Sequence, residues 1–284
     1  MKKLSYFLLL LPLLFAFGKK NKTVGLKNFV LIESGEVLLT KNNIDSSSPP
    51  KMIHVDEFYI CKTELTNKEY RLFLKSLRSD GIDQKKYLPD TTVWRFPLSY
   101  NEPLVRQYFR NPMYDNYPVV GLARPHILEY IKWLNKINKN PKIEYTIPTS
   151  KQWKRAARGS TFDDYASGDH LNHFDGKYQN NFKQTADNKV TFNQKTSEYE
   201  LVDGGSFNYM LDGYIYPAKT TAFKANKHGI YNMCGNVAEM VSEKDIALGG
   251  SWYDTGYDIR IDSEQSTDTA NALIGVRIAA NILK

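Results

Sequence analysis

The distribution of apolar residues along the chain predicts three amphipathic helices. The first is expected to begin at Thr66, because Thr66 and Glu69 have the spacing of a capping box, and to end before Gly81. Its apolar face repeats at helical spacing and comprises Tyr70, Phe73, Leu74 and Leu77. A stripe of this kind predicts packing against a core.

Two later stretches carry the same signals. A second helix is expected near Pro125, which suits a first helical turn, and Pro141 should stop it. Its apolar face comprises Ile127, Tyr130, Ile131, Leu134 and Ile137. A third helix should begin at Thr149, with Gln152 at the capping-box position, and end at Gly159. Its inward residues are Trp153, Ala156 and Ala157.

Short runs rich in β-branched and aromatic residues predict strands before the first helix. Residues 52–55 and 58–65 are two such runs, and they are expected to form either a hairpin or two consecutive strands. A serine-rich loop over residues 42–50 precedes them. Residues 160–216 show little periodicity, which predicts a functional loop, an ion-stabilised structure or local disorder.

The first residues have the pattern of an export signal. Lys2 and Lys3 form a charged region, residues 7–17 form an apolar core, and small residues follow at the usual cleavage spacing. The alternative is a buried strand. We expect a signal peptide over residues 1–18, a lead-in segment over residues 19–50 and one domain over residues 51–284. No cysteine follows the apolar core, so lipid attachment at that point is not supported.

The composition is that of a globular protein. Apolar residues make up 42% of the chain and charged residues 24%, and the 13% of aromatic residues argues against disorder. The net charge is +7, but the domain has no basic runs, so we expect no nucleic-acid partner. Cys61 and Cys234 are the only cysteines. Buried free thiols are favoured for them over a disulfide bridge.

Five segments, in order along the chain, resemble the sulfatase-modifying-factor family, which includes the formylglycine-generating enzymes. The segments are residues 58–67 (FYICKTELTN), 117–121 (YPVVG), 145–159 (YTIPTSKQWKRAARG), 232–252 (with NMCGNVAEM and LGGSW) and 275–279 (GVRIA). The resemblance implies an α+β fold, mixed and loop-rich, of the C-type-lectin-like kind and built as a single domain.

A finer similarity concerns the region between the first two helices. Residues 89–94 (PDTTVW), 99–103 (SYNEP) and 108–115 (YFRNPMYD) are similar to an insertion in the gliding-motility proteins GldJ and GldK of type 9 protein secretion. This similarity implies an exported protein of the cell envelope, in the periplasm or associated with the outer membrane. Its partners would be other cell-envelope proteins.

The family's oxidase chemistry needs a close pair of cysteine thiolates that binds copper and lies shortly after the GGSW turn. Here residues 253–260 read YDTGYDIR and contain no sulfur. Aspartate and isoleucine cannot replace a soft, oxidisable donor. We therefore expect no catalytic residues and a pseudoenzyme that acts as a scaffold or accessory protein.

Two other functions stay open. One is a divergent oxidase of the formylglycine-generating or non-haem iron type, for which only His170 and His173 lie close in sequence. The other is a lectin-like ligand-binding module, with Trp94 and Tyr100 as candidate contacts. Residues 87–117, rich in aromatic residues and arginine, predict either such a binding surface or an insertion folded over the core. Trp153 and Trp252 are expected in the core.

Calcium is the expected cofactor, in a structural role. Asn208 and Asp212 place two side-chain oxygens four positions apart, and Gly213 would relieve a tight turn. The resemblance implies two sites, formed by Asn208, Tyr209, Asp212 and Tyr214 and by Asn232, Gly235, Val237 and Glu239. The alternative is that these Asn and Asp side chains cap turns without an ion.

Overall fold

The computed structural model describes residues 26–39, 51–96, 100–168, 171, 178–183, 188–203 and 212–283. The predicted signal peptide, residues 1–18, lies outside this part of the chain. Among the helices that are described, none is both long enough and apolar enough to cross a membrane.

A four-stranded antiparallel sheet forms the centre of the fold. Its strands, in spatial order, are β1 (Phe29–Ile32), β4 (Phe58–Cys61), β12 (Ala279–Ile282) and β5 (Ile143–Thr146). Ala279 pairs with Ile60 on one side and with Thr146 on the other. The sheet therefore joins the beginning, the middle and the end of the chain, and β1 comes from the predicted lead-in segment.

A second four-stranded sheet is built from the last third of the chain. Its spatial order is β10 (Glu264–Ser266), β9 (Ile246–Leu248), β8 (Ala238–Met240) and β11 (Ile274–Val276). β8 pairs in parallel with β11 and antiparallel with β9. Every residue of β8 and β11 is buried. The sheet thus places the 232–240 motif in the interior.

Two further antiparallel pairs complete the strands of the described residues. β2 (Gly35–Leu39) pairs with β3 (Lys51–Val55), and β6 (Asn188–Asn193) pairs with β7 (Glu198–Asp203). β3 and β4 are therefore consecutive strands in different sheets, and the hairpin alternative was wrong. The β6–β7 pair was not predicted, because its residues lack a clear alternation of apolar and polar side chains.

The three predicted helices are confirmed. They are α1 (Asn67–Ser79), α3 (Arg124–Ile137) and α4 (Ser150–Arg158). Thr66 caps α1 and Thr149 caps α4, each through the expected capping box. These caps satisfy backbone N–H groups that have no partner inside the helix.

Short helical segments fill the region between α1 and α3. They are the 3-10 turns Gln84–Tyr87, Thr91–Trp94 and Pro112–Tyr114 and the helix α2 (Glu102–Gln107). One detail of α3 was predicted wrongly: Ile137 is 51% exposed, because it lies at the last turn and beyond the edge of the core.

The described part of the interior contains three apolar clusters. The first joins α1 and α3 through aromatic rings in tilted and edge-to-face contact, such as Tyr70, Phe73 and Tyr130. The second surrounds Trp153 of α4. The third contains Trp94 together with Trp252. The fold is thus a single mixed α+β domain, as predicted.

Candidate functional site

The segment from Asn232 to Glu239 is a buried, tightly wound turn. Asn232, Gly235 and Asn236 have φ angles of 52°, 73° and 65°, in the left-handed region. The Gly235 N–H donates to the Gly249 carbonyl at 2.7 Å. A Cβ on Gly235 would lie only 2.2 Å from the Asn181 carbonyl oxygen, so the turn requires glycine there.

Glu239, at the end of this turn, is fully buried and hydrogen-bonded by two side chains. Arg277 donates from Nε to Glu239 Oε2 at 2.9 Å and from Nη2 to Oε1. Trp153 donates from Nε1 to Oε2 at 2.6 Å. Arg277 also donates to the carbonyls of Cys61 and Tyr231, so its guanidinium connects β4 to the turn.

Glu64 is a second buried carboxylate beside this ion pair. Its Oε1 accepts from Asn236 Nδ2 at 2.7 Å and from Asn232 Nδ2 at 3.1 Å. Burial raises the pKa of Glu64 to about 7, and Arg277 opposes that rise while Glu239 adds to it. The interior therefore holds two carboxylates for one guanidinium at this point.

Three oxygens of the turn have no hydrogen-bond donor in the described part of the chain. Asn232 Oδ1 is buried and unpartnered. The carbonyl oxygens of Gly235 and Val237 likewise accept no hydrogen bond from a described residue. Such oxygens suit a hard cation. Glu239 is a poorer calcium ligand than these oxygens, because Arg277 and Trp153 already donate hydrogen bonds to its carboxylate. Its Oε1 accepts only one of these bonds and keeps a lone pair for a cation.

The other set of residues expected to hold calcium is only partly described. Asn208 and Tyr209 lie outside the described residues. Asp212 accepts from the Tyr214 N–H at 2.9 Å through Oδ1 and from the Phe182 N–H at 3.1 Å through Oδ2. Asp212 thus makes the turn-capping bonds of the alternative interpretation. Among described residues, no three His, Cys, Asp or Glu side chains form a metal-binding group.

The stretch that follows the Gly249-Gly250 turn is held by a carboxylate. Asp254 Oδ2 accepts from the Ser251 N–H at 2.7 Å and from its hydroxyl at 2.6 Å. Burial raises the pKa of Asp254 above its usual range. Ile259 is fully buried in the second apolar cluster. Asp254 thus holds the segment in place through hydrogen bonds, and Ile259 does so through packing in the core.

The two cysteines are free and buried. Burial raises the pKa of the Cys61 thiol to about 11 and that of the Cys234 thiol to about 12. Both are therefore protonated thiols at neutral pH, and neither is activated as a nucleophile or soft ligand. The expectation of buried free thiols is confirmed.

The aromatic candidates divide between core and surface. Trp94 is 1% exposed and stacks near Trp252, so it cannot contact a ligand at the surface. Trp153 is completely buried. Tyr100, in contrast, is 81% exposed. The insertion is therefore folded over the core at Trp94. The two loop histidines, His170 and His173, lie outside the described residues.

The site contains two residues that the sequence analysis did not select, Glu64 and Arg277. Each lies inside a motif, in residues 58–67 and 275–279, and each is adjacent to a core residue, Leu65 or Val276. That context is a usable signal, because a charge flanked by core residues needs a partner. The sequence does not say which partner.

The match to known families covers nearly the whole chain. The model of the family described as "Sulfatase-modifying factor enzyme 1-like domain" matches residues 15–282.

Three curated relatives show low identity. The uncharacterized protein YfmG of Bacillus subtilis (strain 168) is 21% identical over 215 residues, which cover 74% of this chain and 36% of the relative. The formylglycine-generating enzyme of Streptomyces coelicolor is 23% identical over 228 residues, 70% of this chain and 62% of the enzyme. The chaperone protein LppX of Paenibacillus barcinonensis is 24% identical over 270 residues, 89% of each. The chain thus spans less than two thirds of the first two.

Solved structures share the fold. PvdO from Pseudomonas aeruginosa superposes with a TM-score of 0.60 at 17% identity, covering 89% of this chain and 94% of that one. Treponema denticola variable protein 1 superposes with a TM-score of 0.57 at 14% identity, covering 88% and 94%. At such identities the likeness concerns the fold, and function has to be argued from the site.

Proposed function

The chain belongs to the sulfatase-modifying factor enzyme 1-like domain family, and on that premise we propose that it is a non-catalytic, exported scaffold or accessory protein of the cell envelope. The finer proposal is a role in gliding motility, as a component of the type 9 secretion machinery or as an accessory to it. Its partners would be other cell-envelope proteins, in the periplasm or at the outer membrane.

The state of the sulfur atoms is the observation that supports the non-catalytic proposal. Oxidation of a substrate cysteine on a copper site needs accessible thiolates. Cys61 and Cys234 are buried, and burial raises the pKa of both thiols. Beside the Gly249-Gly250 turn, Asp254 serves as a hydrogen-bond acceptor for Ser251. Neither feature supplies a redox ligand.

An accessory role is also supported by the name of one relative. One relative that matches over 89% of both chains bears the name of a chaperone. A scaffold needs a rigid body and a distinctive surface, and the insertion between α1 and α3 offers exposed side chains such as Tyr100 and Met113 above a buried aromatic cluster. Tyrosine and arginine are enriched at energetically important interface positions.

Calcium belongs to the proposal as a structural ion. Asn232 Oδ1 and the carbonyls of Gly235 and Val237 would hold it, with Glu239 as the charged neighbour. The other proposed set is Asn208, Tyr209, Asp212 and Tyr214. When bound, the ion would supply positive charge to buried oxygens that lack donors.

The non-catalytic proposal is tested by an oxidation assay. The purified protein is loaded with copper and incubated with a cysteine-containing sulfatase peptide, and aldehyde formation is followed by mass spectrometry. The formylglycine-generating enzyme of Streptomyces coelicolor serves as the positive control. We expect no aldehyde above the copper-only background. Turnover with bound copper or iron would refute the proposal.

The envelope role is tested separately in the cell of origin. A tagged chain is expressed, the cells are fractionated, and cross-linked partners are identified from envelope extracts. We expect the protein in the envelope fraction, cross-linked to other envelope proteins. A variant with residues 1–18 deleted is the control and should stay in the cytoplasm. Recovery of the full chain from the cytoplasm alone would refute export.

A further inference from the structure

A cavity of about 350 Å³ opens at the C-terminal end of α4. Its walls come from residues 163–168, from residues 179–180 and from residues 224–233. A volume of this size is typical of sites for small molecules. Asn232, a residue of the second proposed calcium set, also lines it, and the rest of the cavity has no part in the proposed scaffold role.

Apart from the buried Asn232, the floor of this cavity is apolar. Ala157 of α4, Ile230 and Met233 line it, and each is at most 2% exposed. All three belong to residues that pack in the second apolar cluster. The floor is therefore rigid and suits a hydrocarbon or aromatic group.

The mouth of the cavity is polar and carries two lysines. Lys224 and Lys227 both line it and are both exposed. The Asn180 amide and the Ser167 hydroxyl, which lie within 3.4 Å of each other, add neutral hydrogen-bonding groups. Polar groups at one end and apolar groups at the other define an amphiphilic site.

Asn226 holds the backbone of the segment that carries the two lysines against the end of α4. Its Nδ2 donates to the carbonyls of Ala156 and Ala157, and its Oδ1 accepts from the N–H of His228 and of Ile230. The segment that carries the lysines is thereby tied to the end of α4. The Lys227 ammonium comes to 3.2 Å from the point where a Cβ on Gly159 would lie.

The surroundings of the cavity favour an anion. Arg155 of α4 donates to carbonyl oxygens of Glu33 and Glu36 and to the Ser160 hydroxyl. Its charge is thus met by neutral groups. Burial lowers the pKa of His228, and the positive charges of Lys227 and Arg155 lower it further. The carboxylate at the mouth, Asp163, accepts the Thr161 hydroxyl.

We propose that this cavity binds a small organic anion, with its carboxylate or phosphate group at Lys224 and Lys227 and its apolar part against Ile230 and Met233. Lysine ammonium groups bind such heads as point charges through charge-assisted hydrogen bonds. The apolar floor selects for a compound with a short hydrocarbon or aromatic part over a free inorganic ion.

Isothermal titration calorimetry with three matched probes tests the proposal. Phenyl phosphate and benzoate carry the two kinds of anionic head, and benzyl alcohol is the neutral analogue. We expect saturable binding of at least one anion and none of benzyl alcohol at the same concentration. Equal binding of benzyl alcohol, or no binding of either anion, would overturn the proposal.

Variants locate the binding. K224M/K227M should raise the dissociation constant about tenfold or more, since two charge-assisted contacts are lost. K75M/K139M removes the same charge from exposed positions elsewhere and should bind like the wild type. S167W should block the mouth without a change of charge. Thermal melting verifies that each variant is folded.

The pattern across the variants decides the outcome. Equal weakening in K75M/K139M, or unchanged binding in both K224M/K227M and S167W, would contradict the assigned site. The result does not depend on export or on the absence of oxidase activity, so failure here is distinguishable from failure of the proposed function.

Discussion

Glu64, Glu239 and Arg277 place three ionisable side chains in a part of the interior that is almost completely shielded from water. All three are at most 1% exposed. Arg277 satisfies Glu239 directly, whereas Glu64 receives hydrogen bonds from the amides of Asn232 and Asn236. Buried charges of this kind stabilise a fold only when every partner is present.

The buried carboxyl of Glu64 makes stability depend on pH. Burial raises the pKa of Glu64 from 4.5 to about 7, so the folded state favours the protonated form. The stabilisation that the protonated Glu64 contributes is fully present below the pKa of the unfolded state and is lost as pH rises through about 7. The free energy of unfolding falls by on the order of 3 kcal/mol over this range.

Comparison of the wild type with E64Q isolates this effect. The free energy of unfolding of both proteins is measured by urea denaturation in EGTA. Between about pH 5 and pH 8 the wild type should lose stability relative to E64Q, because Gln does not titrate. EGTA is included because a bound cation would favour the ionised carboxylate. A difference that stays constant with pH would contradict the assignment.

Removal of Arg277 should destabilise the protein strongly. R277M leaves Glu239 as an uncompensated buried charge, which costs about 3–5 kcal/mol of unfolding free energy. E239Q/R277M should recover part of that loss. R95M breaks the exposed Arg95–Glu102 pair and serves as the control, with stability close to the wild type. Equal effects of R277M and R95M in chemical denaturation would be inconsistent with this account.

At the level of secondary structure, the helices and the turns obey different constraints. The capping boxes at Thr66 and Thr149 use only local side chains, and they form as the spacing of residues predicts. The Asn232–Glu239 turn depends on distant groups, since Gly235 approaches the carbonyl of Asn181. Its shape therefore requires the tertiary fold.

Two glycines with nearly the same backbone conformation separate local strain from this close approach. Gly235 has φ 73° and Gly81 has φ 75°, but nothing lies within 4 Å of a Cβ on Gly81. G81A should cost about 1 kcal/mol through left-handed strain alone. G235A adds a backbone displacement and should cost about 3 kcal/mol or more. Similar melting temperatures for the two variants would refute the constraint at Gly235.

For the molecule as a whole, calcium would stabilise the folded chain by binding it in preference to the unfolded chain. We expect millimolar calcium to raise the melting temperature and EGTA to reverse the rise. N232A should abolish most of this response at the second site. N138A removes a different half-buried Asn with three local hydrogen bonds and should keep the response.

The calcium response has two informative outcomes. Equal responses of N232A and N138A would exclude Asn232 as a ligand. The absence of any response in the wild type would exclude a stabilising ion at both proposed sets.

Much of the architecture could be predicted from the chain alone. The caps and apolar faces of α1, α3 and α4 were predicted because helix signals are local and repeat within a few residues. The burial of Trp153 and Trp252 followed from their residue type. The β6–β7 pair and the exposure of Ile137 were missed, since neither depends on a strong local signal.

Residue types and their spacing along the chain thus determined the helices and the absence of a sulfur pair after the GGSW turn, while the resemblance of five motifs to a known family indicated the fold. Only the folded structure decided that Arg277 meets Glu239, that Glu64 lies beside them, and that Trp94 is buried. These contacts join residues far apart in sequence, and their energies depend on burial and on three-dimensional proximity, which no local pattern encodes.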